Sequence, residues 1–297
     1  MTSKLSKISN GVKIRKAIVA VAGSGTRFLP VTKTMPKEML PIVDKPIIQL
    51  VVEELVEAGI EDIILVTKWD KKTLEDHFDY SLALEKDLEK AGKHEKAAEM
   101  RKIAEMANFI YVRQKGPYGN GTPVLSAASL VDDEPFVFVW GDDLVKSKVS
   151  FTKQMVDDFE THGRMMIGVQ EVALEDVVRY GIVKLRENTM EIEDIIEKPS
   201  VEETPSRLAD FGRMILNQEF IELLKQTALG KGNELWVTDA IKTYVKSGGI
   251  FLAKKVEDGE WLTTGDPLNY LKTVLVYAMS RDNLKDELKK FCEEYFK

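Results

Sequence analysis

Runs of consecutive apolar residues alternate, in the first half of the chain, with stretches whose apolar positions return at helical spacing. Uninterrupted runs are typical of strands buried on both faces of a sheet, and they predict strands at residues 16–22, 63–66, 109–112 and 136–140. Between the first two, apolar side chains return to one face over residues 46–58, which predicts a helix that Gly59 ends. This order of strand, helix and strand predicts parallel pairing in a sheet flanked by helices.

Beyond residue 165 strand-like segments become more frequent. The pattern predicts strands at residues 165–172, 181–185, 190–196, 211–216 and 250–256, and helices at residues 218–226, 238–247 and 266–279. The whole chain is therefore predicted to be an α/β protein. Its sheet is Rossmann-like and mixed, mainly parallel and flanked by helices, and a smaller part is rich in strands.

Two further segments have helical spacing with a narrower apolar face. Residues 85–106 are rich in Glu, Lys and Ala and predict one or two solvated helices. The final segment, residues 282–296, carries an apolar stripe that we interpret as a packing face or a dimer face. It is thus compatible with a homo-oligomer, and on the packing interpretation Cys292 is a small buried side chain.

Composition limits the class of protein. A chain of 297 residues, 44% hydrophobic and 31% charged, can bury a large core. A net charge of −7 argues against coating nucleic acid, no apolar run approaches the ~18 residues that span a membrane, and the polar residues 1–10 do not resemble a secretory signal. Because Cys292 is the single cysteine, an internal disulfide is excluded and a reducing cytoplasm is the expected compartment.

The first candidate for chemistry is the loop Gly23-Ser-Gly25-Thr-Arg27, which follows the first predicted strand. The third glycine of a dinucleotide motif is missing, and no P-loop Gly-Lys-Ser/Thr follows. Two more cations, Lys33 and Lys37, come within ten residues. Arginine and lysine bind phosphate oxygens well, so the loop predicts a phosphate site; alone, it could equally be a tight turn.

The second candidate is the acidic pair Asp142-Asp143, which follows the apolar strand at residues 136–140. Ligands of open α/β sheets collect beyond the carboxyl ends of the strands, so this pair and the Gly23–Arg27 loop are expected to share one crevice. The alternative is that Asp142 only caps a turn.

Seven blocks in order carry a resemblance to a known family. They are AGSGTRFLPVTKTMPKEMLPIVDKP with the segment after it, Arg113-Gln114 with Gly119-Asn-Gly121, Asp142-Asp143, Tyr180-Gly-Ile-Val183, Ile195-Ile-Glu-Lys-Pro199, Gly212-Arg213, and Gly232-Asn-Glu-Leu-Trp-Val-Thr-Asp-Ala-Ile241. Over residues 14–280 the chain resembles the sugar-phosphate nucleotidyltransferases. Lys33 and the runs PKEMLP and VDKP favour the members that use UTP and glucose 1-phosphate over the thymidylyltransferases.

The resemblance implies a single nucleotidyltransferase domain, residues 1–280, followed by a C-terminal helix at 281–297. A nucleotide-binding half spans about residues 12–150 and a β-rich, sugar-phosphate-binding half about 165–280. The resemblance implies that the backbone of Ala22 and Gly23, with Gln114 and Gly119, binds uracil, and that the nucleotide-binding loop includes Gly25. It implies triphosphate binding by Arg27 and Lys37 and Mg²⁺ binding by Asp142. It also implies glucose binding by Gly181 and Glu197 and sugar-phosphate binding by Lys198.

The implied reaction is attack of the phosphate of α-D-glucose 1-phosphate on the α-phosphorus of UTP, giving UDP-glucose and pyrophosphate. Bringing two polyanions together requires positioning and positive charge, so Arg27, Lys37 and Lys198 are the expected catalytic cations. No protein nucleophile is required. For Glu197 and Lys198 the alternative is a surface ion pair.

Five positions depart from the pattern of the resembled family. Thr122-Pro123 stands where the family has His-Ala, Trp236 where it has Gln, Gly141 where it has Pro, and Thr263 where a late Asp can contact a second metal; whether Asp266 substitutes for that Asp is open. These departures leave two alternatives: the same chemistry with dTTP or another hexose 1-phosphate, and an inactive regulator that binds sugar nucleotides. Three tryptophans, Trp69, Trp236 and Trp261, are expected to be packing residues.

Overall fold

The computed structural model describes residues 13–295. The expectation that residues 1–10 are not a secretory signal concerns residues outside this range. The strands are β1 Lys16–Ala20, β2 Pro41–Ile42, β3 Lys45–Pro46, β4 Asp62–Thr67, β5 Asn108–Arg113, β6 Phe136–Trp140, β7 Asp143–Ser147, β8 Met166–Glu171, β9 Gly181–Leu185, β10 Ile192–Glu197, β11 Leu208–Leu216, β12 Leu252–Lys255 and β13 Gly259–Thr263. The α-helices are α1 Ile47–Glu57, α2 Lys72–His77, α3 Leu82–Lys90, α4 His94–Glu105, α5 Thr122–Val131, α6 Phe151–His162, α7 Gln218–Gln226, α8 Val237–Lys246, α9 Pro267–Met279 and α10 Lys285–Tyr295.

A mixed sheet forms the centre of the described chain, in the order β10-β9-β11-β6-β1-β4-β5, with β8 and β12 continuing from β11. Strands β6, β1, β4 and β5 are parallel. Their apolar runs fit this place, because Ile18 and Val19 of β1 are fully buried on opposite faces. The predicted α/β sheet flanked by helices is confirmed.

The second half of the sheet is organised by β11, which runs antiparallel to β6, β8 and β9. Its register shifts between Asp210 and Met214, where Gly212 adopts φ 74°. A Cβ on Gly212 would lie 2.1 Å from a ring carbon of Trp140, so only glycine fits here. The irregularity interrupts the pairing of β11 with β8 beside the end of β6.

A small antiparallel sheet of β7 and β13 lies beside this edge and places Thr263 opposite Asp143. It is held by the fully buried guanidinium of Arg213, which binds Glu54 Oε2 at 3.0 Å and donates to the backbone oxygen of Asp143 at 2.6 Å. A buried ion pair of this kind fixes geometry because neither charge can be left without its partner. The acidic turn after β6 is thereby rigidly placed.

Some expectations were incomplete or wrong. Helix α6 and strands β7 and β13 were not predicted. In α10 no residue is buried: Phe291 is 60% exposed and Cys292 is half-buried, so Cys292 is not a core side chain. Trp69 is 85% exposed and is not a packing residue, whereas Trp236 and Trp261 are buried.

None of the helices described between residues 13 and 295 has the length and apolar character needed to cross a membrane. The domain boundaries and the oligomeric state stay predictions.

Candidate active site

A cavity of about 430 Å³ opens at the carboxyl ends of the parallel strands and extends to the start of β9 and the end of β10. Ten of the predicted site residues line it: Ala22, Gly23, Arg27, Lys37, Gln114, Gly119, Asp142, Gly181, Glu197 and Lys198. The expected common crevice for the glycine loop and the acidic pair is therefore present. Gly25 and Lys33 are not among the lining residues, and Lys33 is exposed.

Gly25 shapes the loop from behind the cavity. It adopts φ 64°, and its carbonyl accepts hydrogen bonds from Thr32 Oγ1 at 2.7 Å and from the Phe28 N–H at 3.0 Å. A Cβ there would lie 3.2 Å from Lys37 Cβ. Glycine permits the turn that faces Lys37, and the nucleotide-binding role expected of Gly25 stays a prediction.

Lys37 and Asp142 form an ion pair inside the cavity. Burial lowers the pKa of Lys37, but the negative charges of Asp142 and Glu38 more than offset it, and the pKa stands above its ordinary value. Lys37 is therefore a permanent cation. Behind it the buried carboxylate of Glu38 pairs with Lys71 at 2.6 Å, which fixes the segment that carries Lys37.

The nucleotide side is completed by the end of β5 and the turn before α5. The N–H of Gln114 donates to the Thr67 carbonyl at 2.8 Å, which continues the β4–β5 pairing to the cavity wall. Gly119 adopts φ 123°, and a Cβ on it would lie 2.2 Å from the carbonyl oxygen of Leu235. Thus the altered Gly119–Pro123 loop is pressed against the segment before α8, and its Thr122 is buried with Oγ1 donating to the Pro117 carbonyl at 2.6 Å.

The side of the cavity that is predicted to bind the sugar is built by β9 and β10, which place Gly181 directly opposite Glu197. Glu197 Oε2 accepts from Thr238 Oγ1 at 3.0 Å, and its Oε1 lies 3.4 Å from Lys198 Nζ. Burial raises the pKa of Glu197, against the opposing effects of Lys198 and Thr238. Since the Glu197 side chain is only 9% exposed and lines the cavity, the pair is not a surface salt bridge.

The acidic turn carries Asp142 at the cavity surface and Asp143 in a buried position. Asp143 Oδ1 accepts from Trp261 Nε1 at 2.8 Å, and burial together with the charge of Asp142 raises the pKa of Asp143 to about 7. Gly141 stands where the resembled family has proline. Its N–H donates to the Ala20 carbonyl at 3.1 Å, a hydrogen bond that proline cannot make.

Asp266, whose role in place of the late aspartate is open from the sequence, does not line the cavity. It caps α9, where Oδ1 accepts from the Asn269 N–H at 3.0 Å, and it pairs with Arg179, which lines the cavity although Asp266 itself does not. Thr263 does line the cavity. Within residues 13–295, no group of three or more His, Cys, Asp or Glu side chains is arranged to hold a metal ion, so any cation here would rest on Asp142 and ligands from bound substrate.

Sequence reasoning missed several residues of the cavity wall. Arg179 and Glu38 both line it, and Arg27 Nη1 donates to the Gly265 carbonyl at 2.9 Å, which ties the glycine loop to the turn after β13. Arg179 directly precedes the Tyr180-Gly181 block and could have been found as its adjacent cation. The hydrogen bond from Arg27 to Gly265 joins residues 238 positions apart in the chain, and no local sequence pattern predicts it.

The glycine loop, the cations Arg27, Lys37, Arg179 and Lys198, and the carboxylate of Asp142 line one cavity at the edge of an α/β sheet, a combination suited to a nucleotide phosphate chain and a second phosphorylated ligand. The nucleotidyl transferase family model matches residues 16–279. The chain belongs to the nucleotidyl transferase family.

Individual relatives support the assignment to this family. The chain is 42% identical over 288 residues, 96% of each chain, to UTP–glucose-1-phosphate uridylyltransferase YngB of Bacillus subtilis. It is 41% identical to UDP-glucose pyrophosphorylase complexed with UDP-glucose, with a TM-score of 0.80 over 90% of this chain and 100% of that one. It is 37% identical to a UTP-bound UGPase from Acinetobacter baumannii, with a TM-score of 0.86 over 95% and 99% of the two chains. The resemblance seen in the sequence is confirmed.

Proposed function

We propose that this protein joins UTP and α-D-glucose 1-phosphate to form UDP-glucose and pyrophosphate. The observation that carries the proposal is the single cavity in which Lys37 on the nucleotide side and Lys198 on the sugar side both lie. Relatives that cover almost the whole chain are named for this reaction, or are seen with UTP or UDP-glucose bound.

In this reaction an oxygen of the sugar phosphate attacks the α-phosphorus of UTP. A new phosphorus–oxygen bond forms, the bond to the β-phosphate breaks, and pyrophosphate leaves with the bonding electrons. Arg27 and Lys37 hold the triphosphate and offset its charge, while Lys198 receives the incoming phosphate. The transfer is direct, because positioning and charge suffice and no side chain need form a covalent intermediate.

The residues at the cavity can hold Mg²⁺ when bound substrate supplies further ligands. This ion commonly binds proteins through one or two carboxylates and completes its shell with water and phosphate oxygens, and Asp142 offers one carboxylate at the cavity surface. Bound there, Mg²⁺ would neutralise charge on the triphosphate. The protein's own part is to present Asp142 at a fixed place, through the bond from Arg213 to the adjacent Asp143 backbone.

One feature favours a second candidate function, an inactive protein that binds sugar nucleotides. Thr263 offers a hydroxyl where the resembled family can have a metal-binding carboxylate, and the nearby Asp266 pairs with Arg179 and does not line the cavity. Against this candidate, the cations Arg27, Lys37 and Lys198 and the carboxylate of Asp142 all face the cavity. A binding module would have little need of this full set.

The cytoplasm is the proposed location. Its support is the single cysteine, Cys292, which leaves no internal disulfide for an oxidising compartment to form.

The reaction is tested by measuring pyrophosphate release for UTP, dTTP, CTP and GTP against a panel of hexose 1-phosphates, each with Mg²⁺ and with a chelator. We expect UTP with glucose 1-phosphate to give the highest kcat/KM and the chelator to abolish it. Preference for dTTP or another hexose would overturn the substrate assignment. Tight binding of UDP-glucose without release from any pair would establish the inactive binding protein instead.

A further inference from the structure

The indole ring of Trp236 lies against the ammonium group of Lys198. Lys198 Nζ is 4.2 Å from the centre of the ring, and Trp236, 8% exposed, forms part of the cavity wall. On its other side the ammonium lies 3.4 Å from Glu197 Oε1. The cation is thus held between an aromatic face and a carboxylate.

The ring itself is fixed. Trp236 Nε1 donates to the Lys231 carbonyl at 2.8 Å, and its residue directly precedes α8. Gly230 allows this close approach, because a Cβ there would lie 2.1 Å from Asp239 Oδ2 and 3.1 Å from Trp236 Cδ1. The hydrogen bond and the close packing therefore hold the aromatic ring of Trp236 in place.

The backbone of Lys198 is held by the same segment. Lys198 adopts φ 47°, a conformation that is costly for a residue with a side chain. Lys231 Nζ donates to the Lys198 carbonyl at 3.0 Å, and the Lys198 N–H donates to the Tyr180 carbonyl at 2.9 Å. The segment from Lys231 to Trp236 thus contacts Lys198 at both its backbone and its ammonium.

We propose that Trp236 is a positioning residue for the sugar-phosphate half of the reaction, which acts by holding the Lys198 ammonium where the phosphate binds. An aromatic face attracts a cation through its quadrupole and makes no salt bridge that phosphate would have to displace. It leaves the lysine N–H groups that do not face Glu197 free to donate. A second carboxylate in this place would instead compete with the substrate.

The inference rests on the proposed function for the identity of the ligand, and it gives Trp236 a role beyond the packing expected from sequence. It predicts that loss of the ring weakens binding of ligands that carry a phosphate at the Lys198 position. Binding of UTP, whose phosphates are assigned to Arg27 and Lys37, stays unchanged.

The test is a double-mutant cycle of Trp236→Leu and Lys198→Ala, read by calorimetric dissociation constants for UDP-glucose and for UTP. We expect Trp236→Leu to weaken UDP-glucose binding about ten-fold and Trp236→Phe less, with UTP binding unchanged in both. In the Lys198→Ala background the Trp236 substitution should add less than about two-fold, because the two residues act as a unit. Trp69→Leu, the same change at an exposed tryptophan outside the cavity, is the matched control and should change neither constant.

A ten-fold effect of Trp236→Leu that persists without Lys198 would overturn the proposal, and so would equal weakening of UTP binding. If the leucine variant does not fold, the same cycle is completed with Trp236→Phe. Wild-type protein that binds UDP-glucose but releases no pyrophosphate would refute the proposed reaction alone, whereas failure to bind UDP-glucose would refute both.

Discussion

Lys37 and Asp142, 105 residues apart in the chain, form an ion pair across the nucleotide end of the cavity. In the proposed reaction each would exchange its partner, Lys37 for the triphosphate and Asp142 for Mg²⁺. The pair therefore keeps a cation and an anion in place before substrate arrives, each held by the other.

Lys37→Ala and Asp142→Ala are each expected to lower kcat/KM by at least ~100-fold, the scale of losing one charge-stabilising group. Steady-state pyrophosphate release measures the effect, and circular dichroism should show an intact fold. Lys33→Ala is the matched control, since Lys33 is exposed and does not line the cavity. Near-normal activity of either cavity variant would refute its assigned role.

Gly119→Ala should impair the nucleotide side because its new methyl group would lie 2.2 Å from the Leu235 carbonyl oxygen. Moving the loop by even about 1 Å is expected to lower kcat/KM for UTP about 100-fold. Gly116→Ala controls for backbone strain: Gly116 has the same φ, 123°, but a Cβ there would meet only the terminal methyl of Thr122, at 3.3 Å. Equal losses in the two variants would show that close packing at Gly119 is unimportant.

Glu54→Ala should destabilise the protein by about 3–5 kcal/mol, because it leaves the fully buried guanidinium of Arg213 without its carboxylate. Urea unfolding measures the change. Asp76→Ala breaks the exposed pair with Lys72, which solvent screens, and should leave the free energy of unfolding nearly unchanged. A similarly small change for Glu54→Ala would mean that the Arg213 pair does not secure the acidic turn.

Asp210 should make stability depend on pH. Its carboxyl is buried with Oδ2 unpaired among the described residues, and burial raises its pKa well above the ordinary value, against the opposing hydrogen bond from the Gly212 N–H. The folded protein thus holds this proton more tightly than the unfolded chain. Its stabilising effect is complete below the ordinary pKa of about 4 and is lost as the pH rises toward the raised value.

The measurement compares urea unfolding of wild type and Asp210→Asn across pH. As the pH rises above the ordinary pKa of about 4, the wild type should lose stability relative to the variant, which cannot titrate at this position, by up to about 1.4 kcal/mol per pH unit. A difference between the two proteins that is independent of pH would contradict the raised pKa.

Central strands were predictable because burial on both faces requires unbroken apolar runs. Strand β6, Phe136–Trp140, is apolar throughout and was placed without error. Helix α6 was missed although Phe151, Met155 and Phe159 recur on one face behind the cap at Ser150, so here the signal was present. Strand β13 was missed for another reason: Gly259–Thr263 is a strand because it pairs with β7, more than 100 residues away, and local sequence cannot show that.

Some features of the cavity could likewise be predicted from the sequence and others could not. Residues in recognisable blocks, such as Gly23, Asp142 and Glu197, were predicted and meet in space. Contacts that depend on folding were not: the ring of Trp236 over Lys198, and the guanidinium of Arg213 beneath the acidic turn. These side chains act through partners that only the tertiary structure brings together.

The most direct test of the proposed reaction is the stereochemical course at the α-phosphorus, measured by ³¹P NMR with glucose 1-phosphate and UTP that carries a chiral α-thiophosphate. Direct attack by the sugar phosphate is a single displacement, so the account predicts UDP-glucose analogue with inverted configuration. Retention would reveal two displacements through a covalent enzyme intermediate, which the cavity formed by Lys37, Asp142 and Lys198 does not require, and would contradict the account.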